Sequence, residues 1–102
     1  MKIIENLSEM ISEEINDAEK YVTKAMELKD SNRQLANTLY EISNQEINHM
    51  RMLHDEVSRI INEYKQTNGE PPKSMLAVYD YLHKKQIDHV SRVKAMQDMY
   101  KV

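Results

Sequence analysis

The stretch Lys29-Asp30-Ser31-Asn32-Arg33 separates two long segments that contain neither Gly nor Pro. Asp, Ser and Asn side chains hydrogen-bond to nearby backbone groups, and they are preferred at helix caps and turns. A second interruption, Asn68-Gly69-Glu70-Pro71-Pro72, combines a glycine suited to a helix C-terminus with prolines suited to the start of the next helix. The sequence therefore predicts an all-α protein with helices over about residues 3–29, 32–66 and 73–100.

Residues at steps of three and four form a stripe along each of the first two predicted helices. On helix 1 the stripe consists of Ile4, Leu7, Ile11, Glu14, Ala18, Tyr21, Ala25 and Leu28. On helix 2 it consists of Leu35, Leu39, Ile42, Glu46, His49, Leu53, Val57 with Glu56 beside it, and Ile60. Such spacing places residues on one helix face and favours near-antiparallel, coiled-coil-like packing. We therefore expect a long antiparallel hairpin with both stripes in its core, joined by a third helix whose buried face is broader.

Composition restricts the classes of function. The chain has 102 residues, 30% of them charged, and a net charge of −3, which indicates one domain over residues 1–102 and disfavours nucleic acid and anionic membranes as partners. The absence of Cys excludes disulfides, thiolate zinc sites and iron–sulfur clusters. The first residues form neither a signal peptide nor a membrane span, so we expect a cytoplasmic protein.

The lengths of the helices predict an oligomer. Helices of roughly 27 and 34 residues would be about 40 to 50 Å long at 1.5 Å per residue. A single chain of 102 residues is too small to cover stripes of that length. We therefore expect a homo-oligomer, either a dimer or a ring of dimers.

Three polar residues, Glu14, Glu46 and His49, interrupt the two stripes at the same height. Counted from a turn centre at Ser31, Glu14 lies 17 residues back and Glu46 lies 15 residues forward. These distances differ by about 3 Å along the hairpin. A carboxylate and an imidazole at i and i+3 lie on one helix face and can bind one ion together.

One hairpin supplies too few donors for an octahedral ion, but a two-fold axis would double the set. A Glu from each of two helices and a Glu-x-x-His from each of two others is the ligand set of di-iron and di-manganese carboxylate bundles. The alternative is a salt-bridged polar layer that fixes the register of the helices. Burying ionisable side chains costs several kcal/mol per charge unless they are paired or bound to metal, so either role would explain them.

The remaining candidates carry weaker signals. Tyr21 follows Glu14 by two turns and either hydrogen-bonds a ligand, supplies an electron or serves as a core aromatic residue. Asp80-x-x-His83 repeats the ligand spacing on helix 3, and His89 lies on a stripe of that helix, so a metal role stays open for both histidines. His54 falls outside the helix 2 stripe and is expected at the surface.

With these residues the chain resembles the ferritin-like superfamily, most closely the encapsulated ferritins and secondly the rubrerythrins. The likeness covers about residues 13–63, and the three-helix layout extends it to the whole chain. It implies a four-helix bundle completed by homodimerisation, with a di-iron centre between two subunits. The residues that match the pattern of the family are the ligands Glu14, Glu46 and His49, an acidic Glu13 that would help iron to reach them, and Tyr21 close to the centre.

The resemblance implies a ferroxidase that oxidises Fe(II) with O2 or peroxide, for iron storage or detoxification. An encapsulin-type shell, and thus a protein nanocompartment, would be a further partner. Three alternatives stay open: a non-enzymatic helical oligomerisation module with a buried polar layer, a protein that binds Mn or Zn, and a peroxide-reducing ferritin-like protein.

Overall fold

The computed structural model describes all 102 residues, which form three helices and no strand. Helix α1 spans Lys2–Leu28, α2 spans Arg33–Asn68 and α3 spans Lys73–Lys101. Each boundary lies within two residues of the predicted one, and the all-α class is confirmed. No helix combines the length and the apolar character needed to cross a membrane.

The two interruptions of the sequence end and begin helices for identifiable reasons. The side-chain oxygen of Asn32 accepts a hydrogen bond from the backbone N–H of Leu35 at 3.2 Å and so caps α2. At the other end of α2, Gly69 adopts a φ of 79°, a conformation that costs glycine little, and its N–H donates to the carbonyl of Lys65. Pro72 then precedes the first residue of α3.

The three helices run up, down and up along one rod. The side chain of Ser43 on α2 donates to the carbonyl of Ala18 on α1, as expected for an antiparallel hairpin. Met75 near the start of α3 contacts Met1, and Tyr100 near its end accepts a hydrogen bond from Lys29, so α3 runs parallel to α1. The molecule measures 56 × 19 × 18 Å.

The buried centre of the hairpin is displaced by one residue from much of the predicted stripe. Ile4, Ile11, Ala18, Ala25 and Val57 are buried as predicted. Most other stripe positions are only partly buried, and the residues that directly follow them are buried instead: Ser8, Ile15 and Val22 on α1, and Tyr40, Ser43, Ile47 and Met50 on α2. Within one chain these stripe positions lie at the edge of the core, because α3 packs beside the hairpin on the other side. Their burial by a second chain stays a prediction.

Polar side chains attach α3 to the hairpin. Gln86 donates to the backbone and side-chain oxygens of Ser8 at 3.0 and 3.1 Å, and also contacts the hydroxyl of Ser12. Further along, Gln97 donates to the hydroxyl of the fully buried Ser43 at 2.9 Å. These hydrogen bonds fix the position of α3 along the other two helices.

The side of the hairpin away from α3 has no helix against it. Ser12 and Glu19, which hydrogen-bond or pair with α3, lie about 140 to 160° around α1 from Glu14. We call this side the open face. Its residues are Leu7, Met10, Glu14, Tyr21 and Leu28 of α1, and Leu35, Leu39, Ile42, Glu46, His49, Leu53 and Ile60 of α2.

Candidate metal centre

Glu14, Glu46 and His49 meet in the middle of the open face. Each offers one ligand atom, and these atoms all lie within 4.8 Å of one another. The Nδ1 of His49 lies 3.6 Å from Oε2 of Glu14 and 3.8 Å from Oε1 of Glu46. Ligand atoms that bind one ion at about 2.0 to 2.2 Å are separated by about 3 to 4.4 Å. The structure therefore brings the three predicted ligands together at a spacing that one ion could bridge.

The local helix geometry explains this meeting. Glu46 and His49 are one turn apart on α2, so both point to the same side of that helix. Glu14 occupies the facing position of α1, directly before the fully buried Ile15. The apolar residues that follow each of the three side chains hold them at the edge of the core instead of its centre.

The carboxylates of Glu14 and Glu46 repel each other when both are ionised. Oε2 of Glu14 is buried and accepts no hydrogen bond from a fixed donor. The pKa of Glu46 is raised from 4.5 to about 7, first because a protonated Glu46 hydrogen-bonds to Glu14, then because of burial and the charge of Glu14. The neighbouring His49 lowers this pKa and only partly opposes the rise. A cation between the carboxylates would provide the positive charge that the proton otherwise supplies.

The donor set fits a divalent transition metal. Two carboxylate oxygens and one imidazole nitrogen suit Fe(II), Mn(II) and Zn(II). The buried Oε2 of Glu14, which has no hydrogen-bond donor when Glu46 is ionised, also favours a cation at this point. Three donors leave coordination positions for water, substrate or further protein ligands.

The centre is open on one side only. The side chain of Glu46 is 17% exposed, that of Glu14 is 27% exposed and that of His49 is 52% exposed. The carboxylates are thus covered by the hairpin, whereas the imidazole stands at the surface of the open face. Additional ligands can approach only from that surface.

Two residues that the sequence associated with the centre are not part of this group. Glu13 is exposed and lines a shallow cavity with Ser12 and Leu82, on the side of α1 next to α3. Tyr21 is partly buried on the open face and lies two turns along α1 from Glu14, about 10 Å in helical rise. Within one chain the structure brings together Glu14, Glu46 and His49 alone.

Asp17 contributes to the centre although its side chain is exposed. Its charge also raises the pKa of Glu46. The sequence could have indicated this role, because Asp17 follows Glu14 by three residues and residues so spaced are neighbours on a helix surface.

The remaining histidines are also accounted for by the structure. His89 on α3 pairs with Glu19 on α1, and this ion pair explains why a histidine occurs on the side of α3 that packs against the hairpin. The prediction that His54 is a surface residue is wrong: it is partly buried, and its ring meets that of His83 on α3. The stripe of α2 alone could not reveal this contact, because it depends on the position of α3.

Comparisons of the chain with protein-family models, with curated proteins and with solved structures gave no significant match. The resemblance to ferritin-like proteins therefore rests on the residues of the centre and on the helical layout.

Proposed function

We propose that the chain is a ferroxidase that binds Fe(II) as substrate at Glu14, Glu46 and His49 and oxidises it to Fe(III). The observation that carries the proposal is the pair of partly buried carboxyl groups beside an imidazole, with one carboxylate oxygen that lacks a donor. Oxygen-rich sites stabilise Fe(III) more than Fe(II), and such a site therefore favours loss of an electron.

We further propose that two chains join through their open faces and combine their centres. Two copies would supply four carboxylates and two imidazoles, the set that binds two metal ions in carboxylate-bridged helical bundles. Only 17 of the 102 residues are buried in the single chain, which leaves apolar side chains partly exposed above and below the centre. Pairing of two hairpins would cover these side chains and complete a four-helix bundle.

The proposed reaction balances with O2 as oxidant. Two Fe(II) ions each give up one electron, and O2 takes both electrons with two protons to become hydrogen peroxide. In each chain Glu14 and Glu46 hold the metal substrate by their oxygens, and His49 holds it by Nδ1. Because Glu46 has a pKa of about 7, its carboxyl group releases its proton as the cation binds.

Iron detoxification and storage are the roles that this chemistry serves. The rod has no interior space that could hold a mineral, so storage would need a surrounding shell, such as the encapsulin-type shell that the resemblance implies. Detoxification needs no further component than Fe(II) and the oxidant.

The test is the initial rate of Fe(II) oxidation in air, followed by near-ultraviolet absorbance. The wild-type chain is compared with the double variant Glu46→Ala, His49→Ala and with Glu41→Ala, an exposed glutamate of the same helix. We expect the double variant to lose roughly 10- to 100-fold in rate or more, because removal of groups that hold or orient a metal has at least that effect. Glu41→Ala should keep the wild-type rate.

Equal rates in all three proteins, no faster than in buffer, would exclude the ferroxidase. Far-ultraviolet circular dichroism confirms that each variant keeps its helices, so that a lost rate reports on the centre and not on unfolding. Binding of Mn(II) or Zn(II) without oxidation of Fe(II) would instead indicate a centre for another metal. Turnover of peroxide in place of O2 would indicate a peroxide-reducing protein.

A second candidate is a non-enzymatic oligomerisation module. The distances of 3.6 and 3.8 Å between His49 and the two glutamates are ion-pair distances, so the group could act without metal as a polar layer. In that case the double variant would change the oligomeric state or its register, while metal content would stay at background in every protein.

A further inference from the structure

A second pair of histidines lies between α2 and α3. The Nε2 atoms of His54 and His83 are 3.0 Å apart, whereas the ring centroids are 4.8 Å apart and the ring planes are inclined by 24°. Because the nitrogens are much closer than the centroids, the two rings meet at their Nε2 edges. Each edge presents one nitrogen to the other across the contact between the helices.

This separation is that of two ligands on one metal ion. Two nitrogens that bind an ion at about 2.1 Å and at a right angle are about 3.0 Å apart. Without a cation, the nitrogens can interact favourably only if one ring carries its proton on Nε2 and the other on Nδ1. An ion would satisfy both lone pairs and leave both Nδ1 atoms protonated.

The surroundings of His83 orient its ring. The ring of Tyr79 stacks on it at 5.7 Å with an interplanar angle of 19°, which orients the imidazole. Burial, and then the charge of His54, lowers the pKa of His83 below its usual value of 6.5, and the charge of Asp80 partly opposes this shift.

The pair faces a cavity of about 260 Å³ that is open to solvent. Asp55 also lines this cavity, and water from the solvent can fill the remaining coordination positions. Arg51 and Lys94 line it as well, and their positive charges oppose a cation. Metals that prefer oxygen, such as Mg(II) and Mn(II), should therefore bind poorly, whereas metals that bind imidazole strongly should still bind.

We propose that His54 and His83 form a second metal site, for an imidazole-preferring ion of the Zn(II), Ni(II) or Cu(II) class, which ties α3 to α2. The site is separate from the first centre. His54 follows His49 by five residues and lies about 140° around α2 from it, on the opposite side of the hairpin from the open face. An ion here would add a link between the two helices that otherwise share the fewest contacts in the rod.

The experiment uses Ni(II) as the probe, in a protein whose first centre has been disabled by substitution so that only the second site can bind. In untagged chain carrying Glu46→Ala and His49→Ala, isothermal titration calorimetry should detect one Ni(II) ion per chain. Adding His83→Gln should weaken this binding by roughly tenfold or more, since one of two protein ligands is lost. His89→Gln, in the same background, is the matched control and should leave the affinity unchanged, because His89 pairs with Glu19 instead.

A thermal measurement provides the second readout. Saturating Ni(II) should raise the Tm of the background protein and of the His89→Gln control but not that of the His83→Gln protein, because an ion that binds only the folded state stabilises it. Unchanged Ni(II) affinity after His83→Gln would overturn the proposal, as would no Ni(II) binding in the background protein.

The wild-type chain offers a test that needs no substitution. Addition of Zn(II) should move the imidazole ¹⁵N resonances of Nε2 in both His54 and His83. Resonances that stay in place at saturating Zn(II) would overturn the proposal even if a variant fails to fold. Neither outcome depends on whether the first centre oxidises iron, because His54 and His83 are followed individually.

Discussion

His49 Nδ1 lies 3.6 Å from the Oε2 of Glu14, across the contact between α1 and α2. The two residues are 35 positions apart in the chain and meet only because the turn at residues 29–32 reverses its direction. The same imidazole also faces Glu46, one turn away on its own helix, at 3.8 Å. An ion at this point would therefore link α1 to α2, and its binding should be measurable as stability of the hairpin.

Mn(II) should stabilise the protein through this link. Mn(II) prefers oxygen ligands and is not oxidised rapidly in air, so it reports on binding alone. At a concentration about 100 times its Kd, an ion that binds only the folded state adds about 2.7 kcal/mol to the free energy of unfolding. We expect Glu14→Gln to abolish most of this gain in Tm, measured by circular dichroism.

Glu27→Gln is the control for the Mn(II) experiment. Glu27 lies on α1 and pairs with Lys24 at 3.2 Å, with both side chains largely exposed. This variant should gain as much stability from Mn(II) as the wild type. A full gain in the Glu14→Gln variant would contradict the assignment of Glu14 as a ligand.

The metal-free protein should lose stability as the pH rises through neutrality because of Glu46. Its pKa is about 7 when folded and 4.5 ordinarily, so the folded state holds the proton more tightly than the unfolded state. The favourable contribution is complete below pH 4.5 and is lost as the pH rises through 7. Urea unfolding of the wild type and of Glu46→Gln over pH 4.5 to 8 measures this contribution as the difference between their free energies of unfolding.

The free energy of unfolding of Glu46→Gln, compared with that of the wild type, should therefore rise progressively from pH 4.5 to pH 8. A difference between the two proteins that does not vary with pH would show that Glu46 titrates normally in the folded chain. Saturating Mn(II) should reverse the trend in the wild type, because the cation takes the place of the proton.

Charges placed on the open face should prevent association of two chains. Met10 and Leu35 are 46% and 42% exposed, so lysine fits there without disturbing the core of the single chain. If two open faces pack together, Met10→Lys with Leu35→Lys places like charges in an apolar contact and converts the dimer to a monomer. Analytical ultracentrifugation at micromolar concentration measures this change.

Exposed apolar residues elsewhere provide the matched control for that experiment. Val78 and Tyr81 are 59% and 58% exposed on α3. Val78→Lys with Tyr81→Lys should leave the dimer intact. Dissociation by the α3 pair but not by the open-face pair would show that the chains associate through α3 instead.

Loss of the Ser43 hydroxyl should destabilise the three-helix rod. Ser43 is fully buried, donates to the carbonyl of Ala18 at 2.6 Å and accepts from Gln97 at 2.9 Å. Ser43→Ala leaves the amide of Gln97 without its acceptor, which costs about 1 to 3 kcal/mol. The midpoint of urea unfolding should fall with an unchanged m value. The exposed Ser58→Ala, on the same helix, should change the midpoint little.

The helices and the meeting of Glu14, Glu46 and His49 were predictable because each depends on local or symmetric geometry. Helix boundaries follow from capping residues and prolines, and the meeting of Glu14 with Glu46 follows from their similar distances to one turn. The contacts of α3 were not predictable, since its broader apolar pattern does not specify its register against the hairpin. The one-residue displacement of the hairpin core and the meeting of His54 with His83 both result from that register.

The hydrogen bonds of Gln86 and Gln97 have a consequence for the uniqueness of the fold. An apolar helix can slide by one turn along an apolar groove at small cost, because hydrophobic contact has no direction. Here a slide would separate Gln86 from Ser8 and Gln97 from Ser43 and leave buried polar groups unpaired. The stability of the packing and its uniqueness are thus separable in this molecule. Leucine at both glutamine positions should increase the apolar contact of α3 with the hairpin, but it should also let α3 adopt more than one position along it.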